Sequence, residues 1–485
     1  MNKPLRRVAL AMMAMVVLLM GNATYVQVIQ ADELNQDGRN VRTRYERYAR
    51  ERGQIIAQGQ SLASSEKTED PVYKFQRHYA NGPLYAPVTG FYSFYYGSNG
   101  IERAEDSILD GTDDSLAFRR LSDLFTGKSP RGGSVELTIN PAMQQVAYEQ
   151  LTKQGFTGSV VALDPRTGEI LAMVNAPSYD PNLLTSSDNN EVAAQWNELN
   201  DDPDRPMANR AVSEIYPPGS TFKLITTAAA LQNGYKPNSK VETAARIPLP
   251  GTASATLPNY GGNTCKGETL TMAVAYSCNT AFAKIAGELG PEKLREAAAA
   301  FGFGEDLQIP MSVAKSDLGA MADAAALYQS GIGQRDVRVT PMQNAMVAAA
   351  IANDGTMMKP QLVKATRAPD MTELDTFRPE ELKQSVSPEI AHMIRDMMIQ
   401  SEKHTKGSGK ISNVQIASKT GTAQHGDPDD RPHGWYVAFA PAENPTIAVA
   451  VIVENGGDEG AEATGGSIAA PIGREVIRAG LQGGG

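Results

Sequence analysis

Thirteen consecutive apolar residues, Val8 to Met20, open the chain's hydrophobic pattern, and no charge interrupts the 24 residues from Val8 to Ala31. At about 1.5 Å per residue, a helix of this length covers the roughly 30 Å hydrocarbon core of a bilayer. Lys3, Arg6 and Arg7 precede the span, and Asp32, Glu33 and Asp37 follow it. That asymmetry predicts residues 1–31 as a cytoplasmic tail and single-pass membrane anchor, with the rest of the chain outside the cytoplasm. The alternative is a signal peptide cleaved after Ala23 or Ala31. The length of the span and the lack of a strong A-x-A site favour a retained anchor.

Residues 32–130 are polar and uneven, with an Arg- and Glu-rich stretch from Arg39 to Arg52. Short strand-like runs follow at Gln54 to Ala57 and at Tyr92 to Tyr96, the latter ahead of a Gly97-Ser98-Asn99-Gly100 turn. This segment reads as a β-rich stalk module without chemistry. A regular pattern begins near Gly133. Pro141 to Gln154 reads as a helix with Pro in its first turn. Val160 to Leu163 and Ile170 to Val174 flank the turn Asp164-Pro165-Arg166-Thr167-Gly168 and predict a hairpin. Thr340-Pro341 marks a helix start and Gly355 lies past its end. Trp435 to Ala440 and Ile447 to Val453 predict a second hairpin, and Gly466 to Ala479 a last helix. Hairpins at both ends with helices between them give an α+β fold, an antiparallel sheet packed by helices, over residues 131–485. No internal repeat is visible, and low complexity is confined to Gly483-Gly484-Gly485.

Composition narrows the function. A net charge of −10 and the absence of a basic run argue against nucleic acid as a partner. The five histidines (His78, His392, His404, His425 and His433) show no metal-ligand spacing and read as surface residues.

The chemistry centres on Tyr216-Pro217-Pro218-Gly219-Ser220-Thr221-Phe222-Lys223. Pro-Pro-Gly forbids helix up to Gly219, after which Ser220 to Gln232 is Ala- and Leu-rich with Gly234 as a stop. Ser220 is thus predicted at a helix N-terminus, where free N–H groups favour developing negative charge. Lys223, three residues on, shares its face. Buried in an apolar helix, its amine loses much of its basicity and can take the serine proton. Ser-x-x-Lys alone is weak evidence, since it also occurs at Ser64 to Lys67 and Ser312 to Lys315, and a plain helix cap is the competing reading of Ser220. Order and spacing add to it. Ser277-Cys278-Asn279 follows Ser220 by 57 residues, inside the Ala-rich helical stretch Leu270 to Gly287. Lys419-Thr420-Gly421-Thr422 follows by 142 more, at the end of the strand-like run Val414 to Ala417. A second Ser-x-Asn, Ser187-Asp188-Asn189, lies in a polar loop before the nucleophile and reads as a turn.

This ordered triplet resembles that of the penicillin-binding proteins and class A β-lactamases. Gly133 to Asn140, Ser330-Gly331-Ile332-Gly333-Gln334 and Gly434 to Ala438 extend the likeness. The stalk, at Arg52-Gly53-Gln54-Ile55 and Gly100-Ile101-Glu102, is similar to that of class B members, most closely the actinobacterial ones. Asn140 and Ser418 depart from the residues many relatives carry there, Asp and Gly. The resemblance implies a penicilloyl-serine transferase fold and a cofactor-free, metal-free D,D-transpeptidase that cross-links peptidoglycan. In that scheme Ser220 attacks the D-alanyl-D-alanine carbonyl with Lys223 as base, and Ser277 relays a proton to the leaving group. Asn279 holds a substrate amide, and Lys419 with Thr420, Gly421 and Thr422 binds the terminal carboxylate. The backbone N–H groups of Ser220 and Thr422 form the oxyanion hole. Implied partners are stem peptides ending in D-Ala-D-Ala, β-lactam antibiotics, and a SEDS-family glycosyltransferase in the membrane. About 100 residues between anchor and catalytic domain are too few for a glycosyltransferase module.

The rival is a serine hydrolase, a β-lactamase or D,D-carboxypeptidase. The acids near Ser277 (Glu288, Glu292, Glu296 and Glu305) lack the Glu-x-x-Leu-Asn context of a deacylating base. A β-lactam sensor needs more membrane spans, and a Ser-His-Asp hydrolase needs Gly-x-Ser-x-Gly. The only cysteines, Cys265 and Cys278, lie in an oxidising compartment and can form a disulfide, or remain an exposed and a buried thiol respectively.

Overall fold

The computed structural model describes residues 3–30, 34, 45, 48–70, 73–126, 131–426, 431–457 and 464–483. Asp32, Glu33 and Asp37, the expected divisions after residues 31 and 130, most of the Arg39 to Arg52 stretch and the last two glycines lie outside them. The catalytic half is preceded by helix α1 (Lys3–Thr24), strands β1 (Ile55–Ala57), β2 (Gln60–Lys67) and β3 (Phe75–Tyr79). It comprises strand β4 (Ser134–Leu137), helix α2 (Pro141–Thr152), strands β5 (Gly158–Leu163) and β6 (Ile170–Ala176), and helices α3 (Lys223–Gln232), α4 (Leu270–Tyr276), α5 (Asn279–Ala300) and α6 (Pro341–Ala352). Strands β7 (Val363–Arg367) and β8 (Glu373–Thr376), helix α7 (Pro388–His404), strands β9 (Ala417–Ala423), β10 (His433–Ala440) and β11 (Ile447–Val453), and helix α8 (Ala470–Gln482) follow, with shorter elements between them.

The two predicted hairpins, β5–β6 and β10–β11, join through β5 and β11. With β9 they form one five-stranded antiparallel sheet of order β9-β10-β11-β5-β6. Both faces are covered, so the strands read as unbroken apolar runs rather than as an alternation. The two-residue period nevertheless sorts the side chains. Val449 and Val451 of β11, with Val160 of β5 and Ala438 of β10, pack with Met143 of α2 and Ile472, Val476 and Ile477 of α8. Ala450, Ile452, Val161, Val437 and Phe439 face the other way, onto the helical core around Met342, Ala345 and Met346 of α6. Helix α6 is buried from Pro341 to Ile351, and Thr340 caps it by accepting from the Gln343 N–H. Burying each large aliphatic side chain contributes about 1.5–3 kcal/mol.

A six-stranded sheet of order β8-β7-β4-β1-β2-β3, in which only β1 and β4 run parallel, takes strands from both sides of residue 130. The stalk module carries helices beside its strands, at Gly82–Thr89, Gly100–Ala104, Asp106–Asp110 and Ala117–Thr126. Of the run Tyr92 to Tyr96, only Tyr92–Ser93 is strand, paired with Gly97–Ser98. The module is locked by one buried carboxylate. Glu102 accepts from Arg52 Nε and from Arg77 Nε, both at 2.6 Å, and from the Tyr79 hydroxyl at 3.1 Å. Arg77 also donates to the Gly53 carbonyl at 2.7 Å, so the segment before β1, strand β3 and the Gly100–Ala104 helix meet at one point.

Burial alone would raise the Glu102 pKa, but Arg77 and Arg52 outweigh it and hold the carboxyl below its ordinary 4.5. The carboxylate therefore contributes stability above the ordinary value, and that contribution is lost as pH falls through the depressed folded value. Glu102→Ala leaves the buried Arg77 guanidinium without a counter-charge and Arg52 with Asp106 alone, 2.7 Å away, and should cost about 3–5 kcal/mol in denaturant unfolding. The variant should also lose less stability than the parent on acidification. A cost below about 1 kcal/mol would remove the ion triad from the account of this module.

Candidate active site

The nucleophile segment is clamped before its helix begins. Trp435 Nε1 of β10 donates to the Pro217 carbonyl at 3.0 Å, and Gly219 N–H to the Gly333 carbonyl at 2.8 Å. Gly219 has a φ of 53°, and a Cβ there would stand 2.6 Å from the Thr422 carbonyl. At Gly333 (φ 73°), a Cβ would stand 2.1 Å from the Gly219 carbonyl. Only glycine fits at either contact. The sequence placed Ser220 at the start of an α-helix. It sits instead in a 3-10 turn, Gly219–Phe222, and α3 starts at Lys223. The turn is closed by the Thr221 N–H donating to the Pro218 carbonyl at 3.4 Å, with Thr221 Oγ1 donating to the same oxygen at 2.9 Å.

The expected continuous helix from Leu270 to Gly287 is likewise broken. Helix α4 ends at Tyr276, Ser277 is left-handed (φ 58°, ψ 43°), Cys278 is extended, and α5 restarts at Asn279. A left-handed serine costs roughly 1–2 kcal/mol, which contacts made only in this conformation offset. Lys223 Nζ donates to the Ser277 carbonyl and to Asn279 Oδ1, both at 2.7 Å. Asn279 Nδ2 donates to the Pro258 carbonyl at 3.0 Å. Asn259 Oδ1 accepts from the Thr280 N–H at 3.0 Å and its hydroxyl at 3.2 Å. Cys278 is joined to Cys265 across a Cα–Cα distance of 5.6 Å.

Lys419 was expected just past a strand. Strand β9 in fact runs from Ala417 through Ala423, so Lys419 to Thr422 are all strand residues, on the edge of the central sheet. Pairing with β10 in register (Lys419 with Val437, Gly421 with Trp435) carries the strand beyond the apolar run that announced it. Lys419 Nζ donates to Ser277 Oγ at 2.8 Å and to the Thr420 carbonyl at 2.8 Å. Lys223 Nζ lies 3.3 Å from the same Ser277 Oγ.

Three segments distant in sequence thus converge on one hydroxyl, and Ser220 is half-buried in the 3-10 turn immediately before Lys223. Both lysine side chains are fully buried. Burial, and then the neighbouring Lys419, push the Lys223 amine well below its ordinary value. Burial alone brings Lys419 down to about 7. A neutral amine has two N–H donors and one lone pair. With its donors turned to Ser277 O and Asn279 Oδ1, Lys223 keeps a lone pair for a proton. The arrangement can deprotonate a neighbouring hydroxyl and hold an anion at Lys419.

The other candidate motifs stay apart. Ser64 and Lys67 lie on β2, while Ser312 lies on the short strand Ser312–Val313 and Lys315 pairs with Asp306. Asp188 of Ser187-Asp188-Asn189 caps the helix Asn189–Asp201. Among the described residues no group of His, Cys, Asp or Glu is arranged to hold a metal ion. The surface expectation for histidine fails at His433, which is 7% exposed and stacked on His425 with ring centroids 3.8 Å apart. Its place on the fully covered strand β10 is the reason, and burial, followed by His425, brings its pKa down to about 3. The sequence reading missed Asn259 as the brace of the Ser277 loop. The tight Pro258-Asn259-Tyr260-Gly261-Gly262 turn was its visible signal.

Residues 158–478 match the penicillin binding protein transpeptidase domain, and residues 52–135 match the penicillin binding protein A dimerisation domain. The chain is 53% identical to the peptidoglycan D,D-transpeptidase PbpA of Mycolicibacterium smegmatis, over 99% of each chain. It is 50% identical to PbpA of Mycobacterium tuberculosis, over the full length of both. Its structure is similar to that of the ceftriaxone acyl-enzyme complex of M. tuberculosis penicillin-binding protein A, with a TM-score of 0.88 and 49% identity over 90% of this chain and all of the other.

The cysteine bridge ties the loop after Asn259 to the residue between Ser277 and Asn279, and should help keep the left-handed turn in place. Alkylation of denatured, unreduced protein from an oxidising compartment should therefore modify neither cysteine. Reduction of the native protein should slow β-lactam acylation about tenfold, equivalent to about 1.4 kcal/mol of barrier, with the fold retained. Two alkylated thiols before reduction would end this account.

Proposed function

The chain belongs to the penicillin-binding protein family of serine D,D-transpeptidases, and from that premise we propose how its residues divide the work of cross-linking peptidoglycan through an acyl-enzyme. The observation that carries the assignment is the meeting of Lys223, Ser277 and Lys419 at distances of 2.7 to 3.3 Å, with Ser220 in the 3-10 turn that leads directly into Lys223. Ser220 attacks the carbonyl of the penultimate D-alanine of a stem peptide. Lys223, neutral because it is buried beside a second amine, accepts the proton. Lys419 donates to Ser277 Oγ, which leaves the Ser277 proton free to point toward Lys223. That hydroxyl passes the proton on to the departing D-alanine amine. Asn279 holds a substrate amide.

Lys419, with Thr420, Gly421 and Thr422, receives the terminal carboxylate. An amine near pKa 7 is readily protonated once an anion sits against it. The N–H groups of Ser220 and Thr422 cradle the oxyanion, a device worth about 10²- to 10³-fold per donor. The free edge of β9 lets a stem peptide lie alongside as an extra strand. An amine of a second stem peptide resolves the acyl-enzyme, and a β-lactam enters the same path and stops at Ser220. No metal or cofactor has a part in this scheme.

The 25-residue apolar helix Lys3–Gln27 is long enough to cross a bilayer. We place the catalytic domain outside the cytoplasmic membrane on this single anchor, with the stalk module up to residue 130 as a spacer and the transpeptidase domain from 131 onward. Glycan strands then come from a membrane glycosyltransferase of the SEDS family.

A soluble form lacking residues 1–31 should gain one penicilloyl mass per chain on incubation with benzylpenicillin, and Ser220→Ala should gain none. An adduct on the variant would overturn the nucleophile assignment. The adduct should persist, because no glutamate is placed in the sequence context of a deacylating base. Repeated rapid turnover of nitrocefin would move the protein to the hydrolases.

A further inference from the structure

Behind the strand that carries Lys419 lies a polar cluster with no part in the steps above. Glu402, near the end of α7, has a side chain only 12% exposed. Its Oε2 accepts from the Ser418 hydroxyl at 2.5 Å and from the Tyr436 hydroxyl at 3.1 Å, and its Oε1 accepts from Arg474 Nε at 2.8 Å. Arg474 donates further to the carbonyls of Lys406 (3.2 Å), Gly407 (2.9 Å) and Ser408 (2.8 Å). Four elements, α7, β9, β10 and α8, therefore converge on one carboxylate.

The position of this cluster matters because β9 is an edge strand, hydrogen-bonded to β10 alone. Its other edge carries no strand partner. Successive side chains of a strand turn to opposite faces. Lys419 turns into the site and bonds Ser277 Oγ, while Ser418, one residue earlier, turns away and bonds Glu402. A hydrogen bond to an ionised carboxylate is roughly twice as strong as a neutral one. Here it pins the strand from its rear face, one residue from the amine. Tyr436, paired with Thr420 on β10, ties the neighbouring strand to the same oxygen.

We propose that Ser418 and Glu402 are positioning residues that set Lys419 to receive the substrate carboxylate. The proposal rests on the reading of Lys419 as the carboxylate-binding group, and its test separates the two. Acylation rate constants are measured on the detergent-solubilised full chain with benzylpenicillin and with its methyl ester, which lacks the anionic carboxylate. The wild type should prefer the free acid about 10- to 100-fold, the range of a charge-assisted hydrogen bond. Ser418→Ala and Glu402→Gln should lower that preference at least about fivefold, leaving the ester's rate within about twofold of the wild type. Ser418→Thr, which keeps the hydroxyl, should restore the preference. Ser418→Ala removes a single oxygen atom, and its melting temperature checks that the fold survives. An unchanged preference in both variants, or an equal loss of rate on acid and ester, would overturn the positioning role. A wild type without preference would sink the reading of Lys419 and the proposal with it.

Discussion

Two lysine amines buried against one serine hydroxyl are the constraint on which the catalytic half of this protein depends. Taking an ammonium group out of water costs several kcal/mol unless it is paired or gives up its charge. No carboxylate faces Lys223 or Lys419 in their hydrogen bonds, which run to carbonyls, a side-chain amide and hydroxyls. Burial, and then the neighbouring Lys419, push the Lys223 amine well below its ordinary value, and burial lowers Lys419 itself. The Ser277 hydroxyl sits between them and is polarised from both sides.

That arrangement makes demands on the surrounding backbone. Ser277 has to adopt a left-handed conformation so that its carbonyl and its hydroxyl both reach Lys223. Its loop is then braced by Asn259, by the Pro258 carbonyl and by the bridge to Cys265. The nucleophile turn has to approach β9 closely, and so positions 219 and 333 must be glycine. The central sheet is covered on both faces because each of its two cores fixes one side of the strands that carry or support these groups. Removing any one brace leaves a donor or acceptor unmet in a buried place, and such defects are costly.

The stalk module follows a different electrostatic rule. Glu102 keeps its charge because two guanidinium groups surround it, and the ion triad joins segments that also share an apolar core through Ile55, Tyr79 and Ile101. Its sheet includes β4, β7 and β8, so the module and the catalytic half share hydrogen-bonded strands rather than meeting only through side chains. Apolar residues are too sparse in residues 32–130 for the sequence to have announced this partnership, because β4 pairs with β7 across more than 220 residues of chain.

The amphipathic and apolar runs, the turn signals and the Pro-Pro-Gly stop were enough to predict both hairpins of the central sheet, the capped helix after Thr340 and the apolar span at the start. These are local matters of backbone preference and periodicity. The spacing of Ser220, Lys223, Ser277, Asn279 and Lys419 likewise stood in the sequence, since chemistry of this kind fixes residue types. What it could not show was the break at Ser277, because Leu270 to Gly287 has high helix propensity and the left-handed turn is favoured by distant partners, Lys223, Asn259, Pro258 and Cys265. Nor could it extend β9 past Ala417, since the strand is held by pairing with β10 and not by apolar residues of its own. His433 looked like a surface residue until its strand was covered on both sides. Local sequence determined the elements and the reacting groups. Tertiary structure alone decided where the helix before Ser277 stops, which amines are held below their ordinary pKa, and which residues contact the strand that carries Lys419, because each of these depends on partners distant in the chain.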